Sequence, residues 1–147
     1  MWVFGLVDVH TGIGIIRVVP NRNGATLLPI IQEVVLPGST IHSDYWGAYM
    51  HGAIPAIPVN PPYIHHAVNH TRNFVCPLTG AHTNHVESFW SKMKMKFKAM
   101  SGTNRDMLPS YLDEHMWRQF NGKRADPNII AFDNMVNQIS EYYPVNG

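Results

Sequence analysis

Residues 26–49 read TLLPIIQEVVLPGSTIHSDYWGAY, and this stretch contains the signals that decide the fold. Apolar residues at helical spacing predict a helix over 25–35, which Pro37-Gly38 ends. Pro29 is compatible with that helix only near the first turn, because proline lacks a backbone N–H. A short strand over 39–43 follows and places Asp44 at its carboxyl end. Alternation of helix and strand in this way favours an α/β fold.

The segments on either side extend this pattern. Residues 2–8 and 13–19 are rich in β-branched and aromatic side chains, and the polar, glycine-containing segment between them predicts a β-hairpin. The segment Ile54 to Pro62 is too rich in proline for regular structure and is expected to be a surface loop only. A further strand is predicted over 63–70, and an ordered loop over 73–83.

Three helices are predicted in the second half of the chain, over 84–100, 106–121 and 127–141, the last one starting at Pro127. The first has the clearest pattern, because its apolar residues form one stripe at steps of four, three, four and three. This stripe consists of Val86, Trp90, Met93, Phe97 and Met100.

The expectation from all these elements is one α/β domain over 1–147, with a mixed sheet flanked by helices.

Composition excludes several classes of protein. The 147 residues contain no apolar run long enough for a membrane span, and the single Cys76 cannot form an internal disulfide. Without a signal-peptide pattern at the N-terminus, an intracellular protein is expected. The net charge is only +1, but residues 86–124 contain eight basic and four acidic residues, a local excess of +4. That excess is typical either of a solvated helix face or of a nucleic-acid contact.

Asp44 and Glu87 are the candidate metal-binding carboxylates. Sites that transfer phosphoryl groups with two metal ions need acids that converge from different elements, since Mg²⁺ prefers oxygen ligands. Glu87 lies in the first turn of the helix over 84–100, and Ser91, Lys94 and Lys98 share its face. Two ordinary interpretations remain open from spacing alone. Asp44 could cap the turn that follows it, and Glu87 could form a capping box with Asn84.

Longer stretches of the chain carry a family resemblance. The segments TLLPIIQEVVLPGSTIHSDYWGAY (26–49), VNHTRNFVCPLTGAHTNHVESFWSKMK (68–94) and YLDEHMWRQF (111–120) resemble Merlin-type transposases and their bacterial insertion-sequence relatives. WVFGLVD and RVVPNR stand in the same order, so the resemblance covers residues 1–121 and leaves a C-terminal helix over 125–147 outside it. It implies a ribonuclease H-like core that cuts and joins DNA with an acidic triad and Mg²⁺ or Mn²⁺.

The resemblance also implies roles for particular residues. Asp44 in SDYWGAY matches the second acid of the triad, and Glu87 in TNHVESFW matches the third. DNA is the implied partner, and because transposases of this kind act as dimers on paired ends, a homodimer is an open expectation. The compartment would be the nucleus in a eukaryote and the cytoplasm in a bacterium. The residues expected to follow the DNA backbone are Lys92, Lys94, Lys96, Lys98 and Arg105.

The chain departs from the family pattern at the first acid. Asp8 ends the first predicted strand, but the resemblance assigns that strand as the family's second, so Asp8 falls at a position that is not catalytic in the family. The first strand, which carries the first acid and lies centrally in the family's sheet, has no counterpart here. The chain is accordingly expected to be N-terminally truncated. A zinc ribbon for recognising DNA ends is also missing, since there is one cysteine.

Several alternatives remain open at this stage. The chain could be a non-catalytic DNA-binding or interaction remnant of a transposon, or a small metal-dependent nuclease that uses Asp8 as first acid. Histidines near Cys76 do not show the paired spacing of a zinc site. The histidines considered for zinc are His65, His66, His70, His82 and His85.

Two of these histidines have another expected role. His70 and His82 match family blocks and are expected to line the loop beside the acids.

Overall fold

The computed structural model describes residues 1–68, 83–121 and 128–142, with side chains in the last range described from residue 132 onward. Strands and helices alternate first, and helices then close the chain, as the sequence predicts. The predictions for residues 69–82, among them His70, Cys76 and His82, fall outside the described residues. The elements are β1 (Trp2–Val7), β2 (Gly14–Val19), α1 (Gly24–Val34), β3 (Thr40–Asp44), β4 (Ile64–Val68), α2 (Asn84–Ala99), α3 (Leu108–Asn121) and α4 (Asn128–Tyr142), with short 3-10 turns at Gly47–Tyr49 and Arg105–Met107.

The predicted N-terminal hairpin is confirmed. β1 and β2 pair antiparallel, with Trp2 opposite Val19 and Val7 opposite Gly14. Gly12 in the connecting turn has φ +71°, a conformation that glycine adopts without steric cost. β3 and β4 pair parallel, with Thr40 opposite Ile64.

The predicted single mixed sheet is not observed. Among the described residues the strands form two separate two-stranded sheets, one antiparallel and one parallel. Both kinds of pairing that define a mixed sheet are therefore present, but no hydrogen bonds join β1 to β3. The two sheets are connected through side chains instead, because Phe4 and Leu6 of β1 pack against the cluster that contains Ile41 of β3.

β1 contributes to both hydrophobic clusters found among the described residues. Its alternating side chains point to opposite faces, as the period of two in a strand requires. Phe4 and Leu6 join the cluster built on α1 and β3, whereas Val3 and Val7 join the cluster built on β2, α2 and α3. The buried members of the first cluster are Ile31, Ile41, Ile54, Ile57 and Tyr63, and those of the second are Ile16, Phe89, Met93 and Leu112.

The proline-rich segment before β4 is irregular, as predicted, but the expectation of a surface loop only is wrong. Ile54 is 0% exposed and Ile57 is 6% exposed, and both belong to the cluster on α1. The segment therefore closes one side of the core while its prolines stay outside regular pairing. Tyr63, at its end, is buried and donates a hydrogen bond to the Val35 carbonyl at 2.7 Å, which ties the segment to the end of α1.

The helix α2 largely follows its predicted stripe. Met93 is buried, and Trp90 and Phe97 pack against the same cluster, but Met100 lies beyond the helix and is exposed. Phe89, which the stripe omits, is buried because β2 has no side chain at Gly14 to exclude its ring. In the described part of the chain, no helix is long and apolar enough to cross a membrane.

Candidate active site

Asp44 is the last residue of β3, beside Val68 of β4 in the parallel ladder, and its side chain is exposed. One carboxylate oxygen, Oδ1, accepts a hydrogen bond from the Trp46 backbone N–H at 3.2 Å. This is the turn-capping contact that the sequence left open. Within residues 1–68, 83–121 and 128–142 the structure records no donor on the other oxygen. The carboxylate is thus oriented through one oxygen, and no described residue donates to the second.

The turn after Asp44 is held in place by a stack of three side chains. The Arg22 guanidinium lies 3.7 Å from the ring centroid of Trp46 and 4.4 Å from that of Trp2. Trp46 also donates its indole N–H to the Arg22 carbonyl at 2.8 Å. Asp44 is therefore positioned by contacts that reach the start of β1 and the segment before α1. Sequence reasoning missed this role of Arg22, because the three residues are far apart in the chain and follow no periodic pattern.

Tyr49 lies close enough to Asp44 to be affected by its charge, whereas Ser43 and His65 contact each other on the opposite face of the strand pair. Ser43 Oγ is 2.9 Å from His65 Nε2, and burial, followed by the charges of His66 and His42, lowers the pKa of His65. Burial and the negative charge of Asp44 raise the pKa of Tyr49 to about 12, so this phenol stays protonated at neutral pH.

Glu87 lies in the first turn of α2, as predicted. Its carboxylate Oε1 accepts a hydrogen bond from the Thr83 hydroxyl at 3.3 Å, and Thr83 is the residue that precedes the helix. The capping box with Asn84 does not form in the predicted way, because Asn84 is already the first helical residue. Thr83 is only 6% exposed, so the Glu87 carboxylate is anchored at the edge of the protein interior.

The basic residues of α2 divide between two sides of the helix. At about 100° per residue, Lys94 and Lys98 share the side of Glu87, whereas Lys92 and Lys96 lie on the side toward α3. Lys96 Nζ is 3.0 Å from Glu114 Oε2, and Glu114 also binds Arg118. Lys96 is therefore engaged in an ion pair between α2 and α3. The exposed members of the predicted DNA-binding set are Lys92, Lys94, Lys98 and Arg105.

Asp8 has a structural role in the hairpin turn. Its Oδ1 accepts from the His10 backbone N–H at 2.9 Å, and its Oδ2 accepts from the Thr11 hydroxyl at 2.8 Å. These hydrogen bonds lower the pKa of Asp8. Both oxygens are thus occupied by the turn, which agrees with the interpretation of Asp8 as a turn residue.

The two candidate acids lie on elements that both pack near β1. Asp44 ends β3, whose Ile41 shares a cluster with Phe4, and Glu87 begins α2, whose Met93 shares a cluster with Val3. In the described ranges no three or more histidine, cysteine, aspartate or glutamate side chains are grouped in a way that could hold a metal ion.

The described residues form an α/β protein with an exposed acid at a strand end and a basic helix, and comparison with known proteins gives its family. The chain belongs to the ISXO2-like transposase domain family, whose model matches residues 1–120. It is similar to an "Uncharacterized transposase-like protein" of Haemophilus influenzae, with 30% identity over 119 residues, which is 81% of this chain and 89% of the relative. No solved structure matches the chain.

Proposed function

We propose that this chain acts in DNA transposition, as a ribonuclease H-like unit of the kind found in Merlin-type elements that cuts and joins DNA through Asp44 and Glu87. The observation that carries the proposal is the position of Asp44. In a chain that belongs to a transposase family, an exposed carboxylate stands at the carboxyl end of a strand in a parallel pair. Side chains at this edge of an α/β sheet face the crevice where ligands bind.

The chemistry of each acid suits a hard divalent cation. Asp44 offers an oxygen that has no donor among the described residues, and Glu87 offers a carboxylate fixed by Thr83. Oxygen ligands of this kind suit Mg²⁺ or Mn²⁺. When bound, such ions supply activation of the attacking oxygen and stabilisation of the leaving oxygen of a phosphodiester. The Arg22 stack and the Trp46 N–H hold the Asp44 side chain in position for this role.

The proposed DNA surface is the side of α2 that carries Glu87. Lys94 and Lys98 are exposed and follow Glu87 at steps of seven and eleven residues, which keeps them on one face. Phosphates bound by these lysines would run past the acid at the start of the helix. Lys92 and Arg105 are exposed outside this face and add to the positive electrostatic potential of residues 86–124. Lys96 is already paired with Glu114.

A third carboxylate is proposed to come from a strand that pairs with β1 and β3. The ribonuclease H-like arrangement places one strand between these two, and that strand would join both ladders into one mixed sheet. The shared cluster of Phe4, Leu6 and Ile41 supports this idea, because it keeps the two sheets against the same helix. The resemblance assigns the first acid of the triad to that strand.

Manganese binding tests the role of the acids. Asp44→Asn and Glu87→Gln remove one charge each and keep the size of the side chain, so each is expected to weaken Mn²⁺ binding at least tenfold, measured by electron paramagnetic resonance of free Mn²⁺. Asp113→Asn is the matched control, since Asp113 is exposed on α3. Equal Mn²⁺ binding by all three variants and by the wild type would reject the proposed site.

Strand cleavage tests the reaction itself. A duplex carrying the inverted repeats that flank the genomic copy is incubated with the protein and Mn²⁺, and nicked products are separated on denaturing gels. In protein that also carries the strand with the proposed third carboxylate, we expect cleavage by the wild type and by Asp113→Asn, and its loss in Asp44→Asn. Residues 1–147 without that strand lack one acid of the proposed triad and are expected to be inactive. Cleavage that persists in Asp44→Asn, with folding confirmed by circular dichroism, would contradict the assignment.

The DNA surface has its own test. Lys94→Gln and Lys98→Gln are each expected to reduce the salt dependence of binding to a random DNA duplex, with the slope of log K against log salt falling by about 0.9. Lys92→Gln removes the same charge from the other side of α2 and is the control. Fluorescence anisotropy at several salt concentrations measures these slopes. An equal reduction in all three variants would show that the charge of α2 acts without a preferred side.

A second candidate function is DNA binding without cleavage. The exposed pair Lys94 and Lys98 favours it, because a phosphate contact needs no carboxylate. Loss of salt-dependent DNA binding in the lysine variants, together with Mn²⁺ binding that Asp44→Asn does not change, would select this alternative. The third alternative is a metal-dependent nuclease with Asp8 as its first acid. In that case Asp8→Asn should weaken Mn²⁺ binding, whereas a role of Asp8 in the hairpin turn alone predicts no change in Mn²⁺ binding.

A further inference from the structure

The helix α4 attaches to the body of the protein through polar side chains. Trp117 of α3 donates its indole N–H to Gln138 Oε1 at 2.8 Å, and Gln138 Nε2 donates to Asn121 Oδ1 at 3.0 Å. Asn134 Nδ2 donates to the Asn121 carbonyl at 2.8 Å. Asn134 and Gln138 are four residues apart, so they lie on one side of α4. This side faces α3 and fixes the direction in which the remaining sides point.

The apolar side of α4 is exposed. Its large apolar residues follow the spacing of a helical stripe, which normally faces a core. Here their exposed fractions range from 40% to 77%, so the usual arrangement of an amphipathic helix is reversed. The stripe consists of Phe132, Met135, Val136, Ile139 and Tyr142.

We infer that this stripe is the contact surface of a homodimer, formed by α4 of two copies packed antiparallel about a two-fold axis. The stripe contains no charged residue, and the charged residues of α4, Asp133 and Glu141, lie outside its arc. A surface without charge can meet its own copy without repulsion, as a two-fold interface requires. The absence of lysine and arginine from residues 128–142 disfavours DNA as the occupant.

The area of the stripe suits a dimer. The exposed fractions of the five side chains amount to roughly 600 Å² per copy, and two copies would bury about 1,200 Å², the lower end of the range for stable interfaces. Leaving such a patch in water is unfavourable, and a size of roughly 600 Å² is at the upper end of what monomers expose, where apolar patches often mark interaction sites. The homodimer therefore removes an apolar surface that the packing of α4 on α3 leaves uncovered.

The surface beside the stripe also contains a groove that could bind an aromatic side chain of the second copy. An open groove of about 440 Å³ lies between α3 and α4, lined by Trp117, Met135, Gln138, Ile139 and Tyr142. In an antiparallel pair whose two-fold axis crosses the stripe beside Val136, Phe132 of one copy lies near Tyr142 of the other. The Phe132 ring of each copy would then enter the groove of the other copy, so the same contact forms twice, related by the two-fold axis. Aromatic anchors that fill pockets in this way provide much of the binding energy of interfaces.

Sedimentation velocity on the full chain between 5 and 100 µM tests the dimer. We expect a species of twice the 16.6 kDa chain mass, and at least a tenfold weaker association in Ile139→Glu, since a charge would have to be buried. Asn137→Glu adds the same charge on the opposite side of α4 and is expected to dimerise like the wild type. A monomer at 100 µM, assembly beyond a dimer, or equal behaviour of both variants would overturn the inference.

Cross-linking keeps the test independent of any loss of folding. In a Cys76→Ser background, Val136→Cys lies near the proposed axis and is expected to form a disulfide between copies under mild oxidation, whereas Asn137→Cys is not. Circular dichroism confirms that each variant keeps its helices. Equal cross-linking of the two cysteines would contradict the antiparallel contact.

Discussion

Gln119 of α3 is bonded twice to Gly14 of β2. The Gly14 backbone N–H donates to Gln119 Oε1 at 2.7 Å, and Gln119 Nε2 donates to the Gly14 carbonyl at 3.1 Å. A side-chain amide thus satisfies both backbone groups of the first residue in the strand. This pair links residues from opposite parts of the chain and fixes α3 against the hairpin.

Gln119→Leu is expected to destabilise the protein by about 1 to 3 kcal/mol, because it leaves the partly buried N–H and carbonyl of Gly14 without their partner. Urea unfolding followed by circular dichroism measures the change. Gln32→Leu is the control, since Gln32 makes one exposed 3.3 Å hydrogen bond to Pro58. A cost for Gln119→Leu no larger than for the control would show that the double contact contributes no stability.

Gly14→Ala is expected to cost about 1 to 3 kcal/mol through overpacking. A Cβ at this position would lie 2.6 Å from Phe89 Cε2, and still closer to Cζ. Gly47→Ala is the matched control, because nothing lies within 4 Å of its added carbon. Phe89→Leu in the Gly14→Ala background is expected to recover part of the loss. Thermal unfolding of Gly14→Ala, Phe89→Leu, the double variant and the Gly47→Ala control decides, and additive losses in the double variant would argue against a direct clash.

Glu114 makes the stability of the α2–α3 contact depend on pH. Hydrogen bonds from Arg118 and Lys96 lower the pKa of Glu114. A lowered folded-state pKa means that the carboxylate stabilises the protein above the ordinary value of about 4.3. This contribution is lost as the pH falls through the folded-state pKa. Unfolding in urea at pH 7, 5, 4 and 3 should therefore show wild type more stable than Glu114→Gln at pH 7, with the difference declining below pH 4.3.

The control for this pH effect removes the cations. In a background with Lys96→Met and Arg118→Met, Glu114→Gln should have the same small effect at every pH. A difference between wild type and Glu114→Gln that is constant from pH 7 to pH 3 would show that the ion pairs do not stabilise the folded state.

Arg22→Lys is expected to destabilise the turn after Asp44 by about 0.5 to 1 kcal/mol, because an ammonium cannot stack flat between two indoles as a guanidinium does. Tryptophan fluorescence during urea unfolding measures both the stability and the altered environment of the rings. Arg105→Lys, at an exposed position, is the control. Identical fluorescence and stability in the two variants would remove the proposed role of the stack.

Local patterns predicted most of the elements, and tertiary contacts explain the rest. The hairpin and α2 follow from residues that are neighbours in sequence, so period and turn chemistry suffice. The burial of Phe89 depends on the missing side chain of Gly14, and the burial of Ile54 and Ile57 depends on how an irregular loop folds over α1. No periodicity contains such information. The division into two sheets depends on pairing across long separations, which residue types alone do not specify.

The candidate site shows the same limit. The strand before Asp44 and the helix turn that carries Glu87 were predictable because each is local. The position of Arg22 between Trp2 and Trp46, and the engagement of Lys96 by Glu114, arise from folding and were not. The metal-binding roles of Asp44 and Glu87 stay predictions that the proposed Mn²⁺ measurements address.

The strand β1 has a consequence for how the protein unfolds. Because Phe4 and Leu6 complete one hydrophobic cluster and Val3 and Val7 complete the other, neither cluster can keep its packing once β1 is detached. The N-terminal strands and the helices α2 and α3 should therefore lose structure together, in a single cooperative transition. Hydrogen exchange at the β1 amides that are bonded to β2 should accordingly be slow and proceed through global unfolding.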